Sequence, residues 1–220
     1  MFNKKKFIMK NLFFDLDGTI WDASNSTAIA WSRVFKRWDI NHEILEKDIQ
    51  SVAGKPYMEC LNILAPEVIQ HKDIDSILIE LAIEEKKTMK EVGGKYYRDA
   101  LETIVTLSTE CQLFLVSNCN DWYLKAFLNH SGLDNVFIEC VCFGTFNQNK
   151  VANLIYLKNK YNIQSGYYIG DTKGDMNAAH EVGLNYIHIK HGFDKTLNHD
   201  VVVEDFLDFI TLFDTIEYKK

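Results

Sequence analysis

Short, fully apolar runs alternate with segments of helical periodicity through most of this chain. Apolar runs bounded by polar residues or glycine are typical of strands that are buried on both faces. Buried strands that alternate with helices predict a parallel sheet covered by helices on both sides, which is an α/β, doubly wound, Rossmann-like fold. The first predicted strand ends at residue 14, and the others cover 113–116, 136–142, 167–169, 186–189 and, at one edge, 201–203. Predicted helices cover about 101–105, 122–130 and 151–161, and two more begin at about 175 and 204.

Residues 21–95 lack such runs and show helical spacing instead. Trp31, Phe35 and Trp38 lie four and three residues apart, and the aliphatic residues of 74–81 share one helical face. Stripes of this kind usually form a core. We therefore expect an all-helical cap at 21–95, inserted into an α/β core made of residues 1–20 and 96–220.

An acidic pair follows the first predicted strand directly. Asp15 and Asp17 are two residues apart, so in a strand their side chains would point to the same side. Two carboxylates held about 4–5 Å apart repel each other by roughly 3–4 kcal/mol at an effective dielectric constant of about 20. A cation or a shared proton relieves such a repulsion. The pair therefore indicates a carboxylate site assisted by a metal ion.

Polar residues also stand at the ends of other predicted strands. In an open parallel sheet, ligands bind beyond the carboxyl ends of the strands, so groups far apart in sequence meet at one edge. We expect the acidic pair to be joined there by Ser117, Asn118, Lys150, Asp171 and Asp175.

Composition narrows the function classes. A net charge of -7 argues against a nucleic-acid partner, because nucleic-acid-binding surfaces usually carry a basic excess. No apolar run approaches the roughly 20 residues of a membrane span, and no signal peptide precedes the first strand. The five cysteines show neither disulfide nor zinc spacing. We expect a cytoplasmic protein with reduced thiols, in which residues 1–8 are a dispensable extension. Nothing in the sequence sets an oligomeric state.

Four motifs occur in a fixed order: DLDGT at 15–19, VSN at 116–118, Lys150, and GDTKGD at 170–175. In this combination the chain resembles the haloacid dehalogenase-like hydrolase superfamily, in its helical-cap, phosphoglycolate phosphatase-like branch. The resemblance covers about residues 11–190. It implies a phosphatase that hydrolyses a small phosphorylated metabolite with Mg²⁺ as cofactor.

The resemblance also implies roles for these residues. Asp15 would be the nucleophile that forms an aspartyl-phosphate, and Asp17 the general acid and base. Lys150 would neutralise charge, while Ser117 and Asn118 hold the phosphoryl group. Taken singly, Asp17, Ser117 and Asn118 also fit helix capping, and Lys150 fits an ordinary surface position.

Metal-binding roles follow in the same way. Mg²⁺ prefers hard oxygen ligands, which the resemblance assigns to an Asp15 carboxylate oxygen, the Asp17 main-chain carbonyl and Asp171. Asp175 would lie behind these ligands and orient Lys150 or a metal-bound water.

Departures from the family's patterns separate the alternatives. Asp17 argues against dehalogenation, because that branch lacks this acid. A sugar phosphomutase would carry a histidine at Thr27 and an arginine after Gly54, where this chain has lysine. A binding module that has lost turnover would lack one of the catalytic groups, and all of them are present. Trp21, Lys55 and Tyr57 are candidate contacts for the far end of the substrate, although packing or surface roles fit them equally well.

Overall fold

The computed structural model describes residues 10–195 and 201–216. The expected extension at residues 1–8 lies outside this range. In chain order, the strands are β1 (Lys10–Phe14), β2 (Trp21–Asp22), β3 (Lys95–Tyr96), β4 (Cys111–Ser117), β5 (Glu139–Cys142), β6 (Tyr167–Gly170), β7 (Asn185–Ile189) and β8 (Val202–Val203).

Six strands form one parallel sheet in the order β5-β4-β1-β6-β7-β8. Strand β1 lies inside the sheet, where Phe13 pairs in register with Phe114 of β4 and Tyr168 of β6. Leu12 and Phe14 pack into one apolar cluster and Phe13 into a second one on the other face. Both faces of the sheet are therefore covered, and the predicted doubly wound α/β fold is confirmed.

The helices complete the two layers over the sheet and form a separate group after β2. They are α1 (Ser24–Arg37), α2 (Glu46–Ser51), α3 (Tyr57–Leu64), α4 (Pro66–Ile69), α5 (Ile74–Val92), α6 (Ala100–Ser108), α7 (Asp121–Ser131), α8 (Phe143–Phe146), α9 (Lys150–Lys160), α10 (Lys173–Glu181) and α11 (Leu207–Ile216). Helices α1 to α5, here called the helical insert, contribute most of a third apolar cluster built around Trp31, Phe35 and Leu81. None of the helices in the described part of the chain is long and apolar enough to cross a membrane.

Residues 21–95 are not wholly helical, which corrects one detail of the prediction. Strands β2 and β3 form an antiparallel ribbon in which Trp21 pairs with Tyr96 and Asp22 with Lys95. The chain segments that lead from the sheet into the helices and back lie next to each other. Each segment therefore satisfies main-chain hydrogen-bonding groups of the other, which forms the ribbon. The division into a core and a cap stays a prediction, with this ribbon at its boundary.

Trp21, a candidate contact for the far end of the substrate, is buried in the core. Its side chain is 1% exposed and packs against the rings of Tyr96, Tyr123 and Phe127. It belongs to the apolar cluster on one face of the sheet. Trp21 is therefore a packing residue of the ribbon and does not line the cavity described below.

Candidate active site

The nucleophile candidate sits directly beyond β1. The Asp15 main-chain N–H donates to the Ile169 carbonyl at 2.9 Å, which holds this residue between its neighbouring strands. The Asp15 carboxylate is buried and accepts a hydrogen bond from Lys150 Nζ at 2.8 Å. Lys150 is the first residue of α9 and is itself buried. The side chain of Asn149 caps this helix at the Ala152 N–H, which fixes the point from which Lys150 reaches the sheet edge.

Asp175 lies behind Lys150. Its Oδ1 accepts a hydrogen bond from Lys150 Nζ, and its Oδ2 accepts from the Thr172 main chain at 3.0 Å and the Thr172 hydroxyl at 2.6 Å. Because both oxygens are engaged, Asp175 positions the lysine and the start of α10.

Asp171 follows β6 and completes the acidic group. Its Oδ2 accepts from the Phe193 N–H at 2.7 Å, and its Oδ1 lies 3.4 Å from the Thr19 hydroxyl. A Cβ atom added to Gly192 would lie only 2.2 Å from Asp171 Cβ, so only glycine fits there. Carboxylate oxygens of Asp15, Asp171 and Asp175 lie within 4.8 Å of one another. Residues distant in sequence thus meet at one edge.

The charges in this group do not balance. Three buried carboxylates surround one buried ammonium group. Burial raises the pKa of Asp15 to about 7, Asp175 adds to the rise, and Lys150 opposes it. Burial and the two other carboxylates also hold the pKa of Asp171 well above its usual value. A divalent cation bound by oxygen ligands would remove this cost, so the donor set fits Mg²⁺.

Asp17 stands apart from that group, and its partner is Tyr123 of α7. The Tyr123 hydroxyl donates to Asp17 Oδ1. Burial raises the pKa of Asp17 to about 6, and the hydrogen bond from Tyr123 limits the rise. Sequence reasoning missed Tyr123, because its position in a helical pattern indicated only core packing. It is the group that orients the acid candidate.

Ser117 is the last residue of β4 and Asn118 follows it, beside the two aspartates. Ser117 is buried and its hydroxyl accepts from the Cys119 N–H at 3.2 Å, while α7 has Asn120 at its N-cap. The Asn118 amide donates to the Gly54 carbonyl of the helical insert at 2.7 Å. The structure therefore brings all seven predicted site residues to one sheet edge.

A cavity of about 140 Å³ joins this edge to the helical insert. Lys55 and Tyr57, the candidate substrate contacts, line it, and so do Trp31 and Glu85, which the sequence did not single out. Both belong to amphipathic helices in which a buried side chain is normally a core residue. The core side of the cavity is lined by Asp15, Asp17, Ser117, Asn118, Tyr123 and Phe193, among others.

Comparisons with known proteins agree with the fold. The model of the haloacid dehalogenase-like hydrolase family matches residues 12–189, and the chain belongs to that family. A phosphoglycolate phosphatase of Colwellia psychrerythraea is 24% identical over 194 residues, which cover 83% of this chain and 85% of that protein. A phosphoglycolate phosphatase of Aliivibrio fischeri is 24% identical over 206 residues, or 90% and 89% of the two chains.

Solved structures show the same fold. A haloacid dehalogenase-like hydrolase from Streptococcus pneumoniae has a TM-score of 0.77 at 20% identity, covering 93% of this chain and 98% of that one. A hydrolase of the same superfamily from Geobacter sulfurreducens has a TM-score of 0.73 at 16% identity, covering 95% and 98%. The expected family and enzyme class, a phosphatase of the haloacid dehalogenase-like type, are confirmed.

Proposed function

We propose that this hydrolase is an Mg²⁺-dependent phosphatase that cleaves a small phosphorylated metabolite through an aspartyl-phosphate on Asp15. One observation carries the proposal. The buried Asp15 carboxylate, 2.8 Å from Lys150, lines a cavity together with Asp17, Ser117 and Asn118. A nucleophile, an acid and donors for phosphoryl oxygens are thus available to one small molecule.

In the first half-reaction, the Asp15 carboxylate oxygen attacks phosphorus and the bond from phosphorus to the alcohol oxygen breaks. Asp17 donates its proton to the departing oxygen. The raised pKa of Asp17, about 6, keeps part of it protonated near neutral pH. Lys150 offsets the negative charge around Asp15, and Ser117 and Asn118 donate hydrogen bonds to the phosphoryl oxygens.

In the second half-reaction, water attacks phosphorus of the aspartyl-phosphate. Asp17, now deprotonated, takes a proton from that water, and the bond from phosphorus to the Asp15 oxygen breaks. Inorganic phosphate leaves and Asp15 is restored. Tyr123 holds Asp17 in one orientation for both proton transfers.

The metal would be held by Asp15, Asp171 and the Asp17 main-chain carbonyl. When bound, Mg²⁺ supplies positive charge that stabilises the phosphoryl oxygens in the transition state. The excess of buried negative charge at this edge, described above, supports this assignment.

Phosphate release from p-nitrophenyl phosphate tests the proposal. The wild type should release phosphate with Mg²⁺ and stop when the metal is chelated. Asp15→Asn should lower kcat by at least about 10³-fold, since it removes the nucleophile. Asp121→Asn is the matched control, because Asp121 pairs with Lys125 at the surface at 2.6 Å. Asp15→Asn activity equal to that of the control would contradict the proposal.

The same purified protein separates the alternatives. Interconversion of hexose phosphate isomers without net phosphate release would indicate a phosphomutase. Thr27 lines the cavity, so the position that would carry the mutase histidine offers no imidazole there. Binding of phosphorylated metabolites without either reaction would indicate a regulatory module.

A further inference from the structure

The helical insert places a buried carboxylate in the cavity wall, and the proposed mechanism does not use it. Glu85 of α5 is 7% exposed and lines the cavity. Its Oε1 accepts two hydrogen bonds, one from Trp31 Nε1 and one from the Tyr57 hydroxyl at 2.8 Å. Two donors on one oxygen fix the orientation of this carboxylate.

The other oxygen of Glu85 remains available to a ligand. Among the described residues, none donates a hydrogen bond to Oε2. Burial raises the pKa of Glu85 to about 7 despite the bonds from Trp31 and Tyr57. A cationic ligand beside Oε2 would compensate the cost of burying the charged form.

The surroundings of Glu85 are aromatic. The rings of Trp31 and Tyr57 meet edge to face, with centroids 5.7 Å apart and an angle of 71° between their planes. Both residues line the same cavity. Aromatic ring faces next to a carboxylate are a recognised means of binding ammonium groups, because a ring face and a carboxylate both attract positive charge.

The cavity offers little to a negatively charged end group. Lys55 is the single cation among its described lining residues. Its ammonium group is already paired with Glu59 at 2.7 Å, and 44% of its side chain is exposed. A carboxylate at the far end of a substrate would therefore meet Glu85 with no free cation nearby.

We propose that the substrate carries an ammonium group at the end opposite its phosphate, and that Glu85, Trp31 and Tyr57 bind this group. This inference rests on the proposed phosphatase function and names its substrate class as phosphate monoesters of small amino alcohols. A cavity of about 140 Å³ suits such molecules, since pockets for drug-sized ligands measure roughly 300–1,000 Å³. The same wall disfavours a phosphorylated hydroxy acid.

The test compares esters of similar length that differ in the charge of the far end. These are 2-aminoethyl phosphate, choline phosphate, neutral 2-hydroxyethyl phosphate and anionic 2-phosphoglycolate. The two ammonium esters should have kcat/KM about tenfold or more above that of 2-hydroxyethyl phosphate, mainly through KM. The anionic ester should be the poorest substrate.

Variants assign the preference to the proposed residues. Glu85→Gln keeps the shape and the acceptor for Trp31 and Tyr57, and should bring the ratio of aminoethyl to hydroxyethyl activity close to one. Tyr57→Phe keeps the ring but loses one donor to Glu85, and should lower the ratio partly. Glu84→Gln is the matched control, because Glu84 pairs with Arg33 and Arg37 and does not line the cavity. It should keep the wild-type ratio.

The outcomes separate the two levels of inference. If the wild type hydrolyses neither p-nitrophenyl phosphate nor any ester of the series, the phosphatase function fails, and the substrate class fails with it. If it hydrolyses p-nitrophenyl phosphate but shows no preference for the ammonium esters, only the substrate class is overturned. A preference that survives in Glu85→Gln overturns the role of Glu85. The wild-type ratio decides the substrate class even if a variant does not fold.

Discussion

Two neighbouring glutamates on α5 have pKa values that are shifted in opposite directions, because their side chains face different groups. Glu84 lies 3.2 Å from Arg33 and 3.0 Å from Arg37, and these guanidinium groups outweigh its burial and lower its pKa. Burial raises the pKa of Glu85 to about 7 from an ordinary 4.5. Tyr57, the titratable group in contact with Glu85, keeps a pKa well above its usual value and stays neutral.

The raised pKa of Glu85 makes stability depend on pH. Between about pH 4.5 and 7 the folded state holds more protons than the unfolded state, so the free energy of unfolding falls as pH rises. We expect Glu85→Gln to be more stable than the wild type at pH 8, by up to about 3 kcal/mol, with a smaller difference at pH 5. Urea unfolding at both pH values measures this.

Glu84→Gln should change the free energy of unfolding in the opposite direction. Because the folded pKa of Glu84 is lowered, its charged form stabilises the fold above the unfolded pKa, and its removal should destabilise the protein at pH 8. A Glu85→Gln variant that is less stable than the wild type at pH 8 would show that Glu85 is not buried as a costly charge.

At this scale, residues with motif spacing were predictable and those without it were not. Asp15 follows β1, Asp171 follows β6 and Lys150 begins α9, and the parallel sheet brings these positions together. Tyr123 and Glu85 lie within helices, where the sequence indicates only a packed face. Their chemistry depends on which side chain the tertiary structure places opposite them, and that is a non-local property.

Helix α10 and the site share one carboxylate. The Thr172 hydroxyl accepts from the Asp175 N–H at 3.2 Å, while Asp175 Oδ2 accepts from Thr172, which closes a capping box. The same Asp175 holds Lys150 through its other oxygen. Folding of the helix start therefore also fixes the lysine of the site.

Thr172→Ala should affect both the stability of the start of α10 and the placement of Lys150. Loss of the cap should lower the free energy of unfolding by about 1 kcal/mol, and looser placement of Asp175 and Lys150 should lower kcat. Thr172→Ser keeps the hydroxyl and should restore both quantities. Thermal unfolding and phosphate release from p-nitrophenyl phosphate measure them. Equal losses of kcat in the alanine and serine variants would argue against this coupling.

Element boundaries explain where sequence reasoning was less accurate. The predicted strand 136–142 starts only at Glu139, because the Val136 N–H bonds the Leu133 carbonyl in a turn. Helix α10 begins at Lys173, two residues before the expected start, because Thr172 caps it. Hydrophobic periodicity does not report turns and caps, which depend on single hydrogen bonds.

At the scale of the whole molecule, a hydrogen bond connects the helical insert with the sheet edge next to the site. The Asn118 amide donates to the Gly54 carbonyl at 2.7 Å. Gly54 has a φ of +80°, and a Cβ there would lie 3.4 Å from the Thr172 hydroxyl. Gly54 and Asn118 both line the cavity, so this contact bounds it on one side.

Asn118→Ala should loosen this contact. Loss of a hydrogen bond worth about 1 kcal/mol should make opening of the Gly54 loop about fivefold more frequent. Hydrogen–deuterium exchange, followed by mass spectrometry of peptides that contain residues 52–57, measures this. Peptides from α6 serve as the internal control and should not change. Unchanged exchange around Gly54 would show that other contacts hold the insert in place.

The ribbon of β2 and β3 determines how this architecture can be modified. The chain enters and leaves the helical insert at neighbouring points, as the pairs Trp21–Tyr96 and Asp22–Lys95 show. The entropy lost on closing a loop between two fixed neighbours grows only slowly with the length of that loop. We therefore expect that a segment of different size can be inserted between these two points without changing the strand order of the sheet. We expect exchange of that one segment to change the range of substrates, because the proposed Glu85 subsite lies within it.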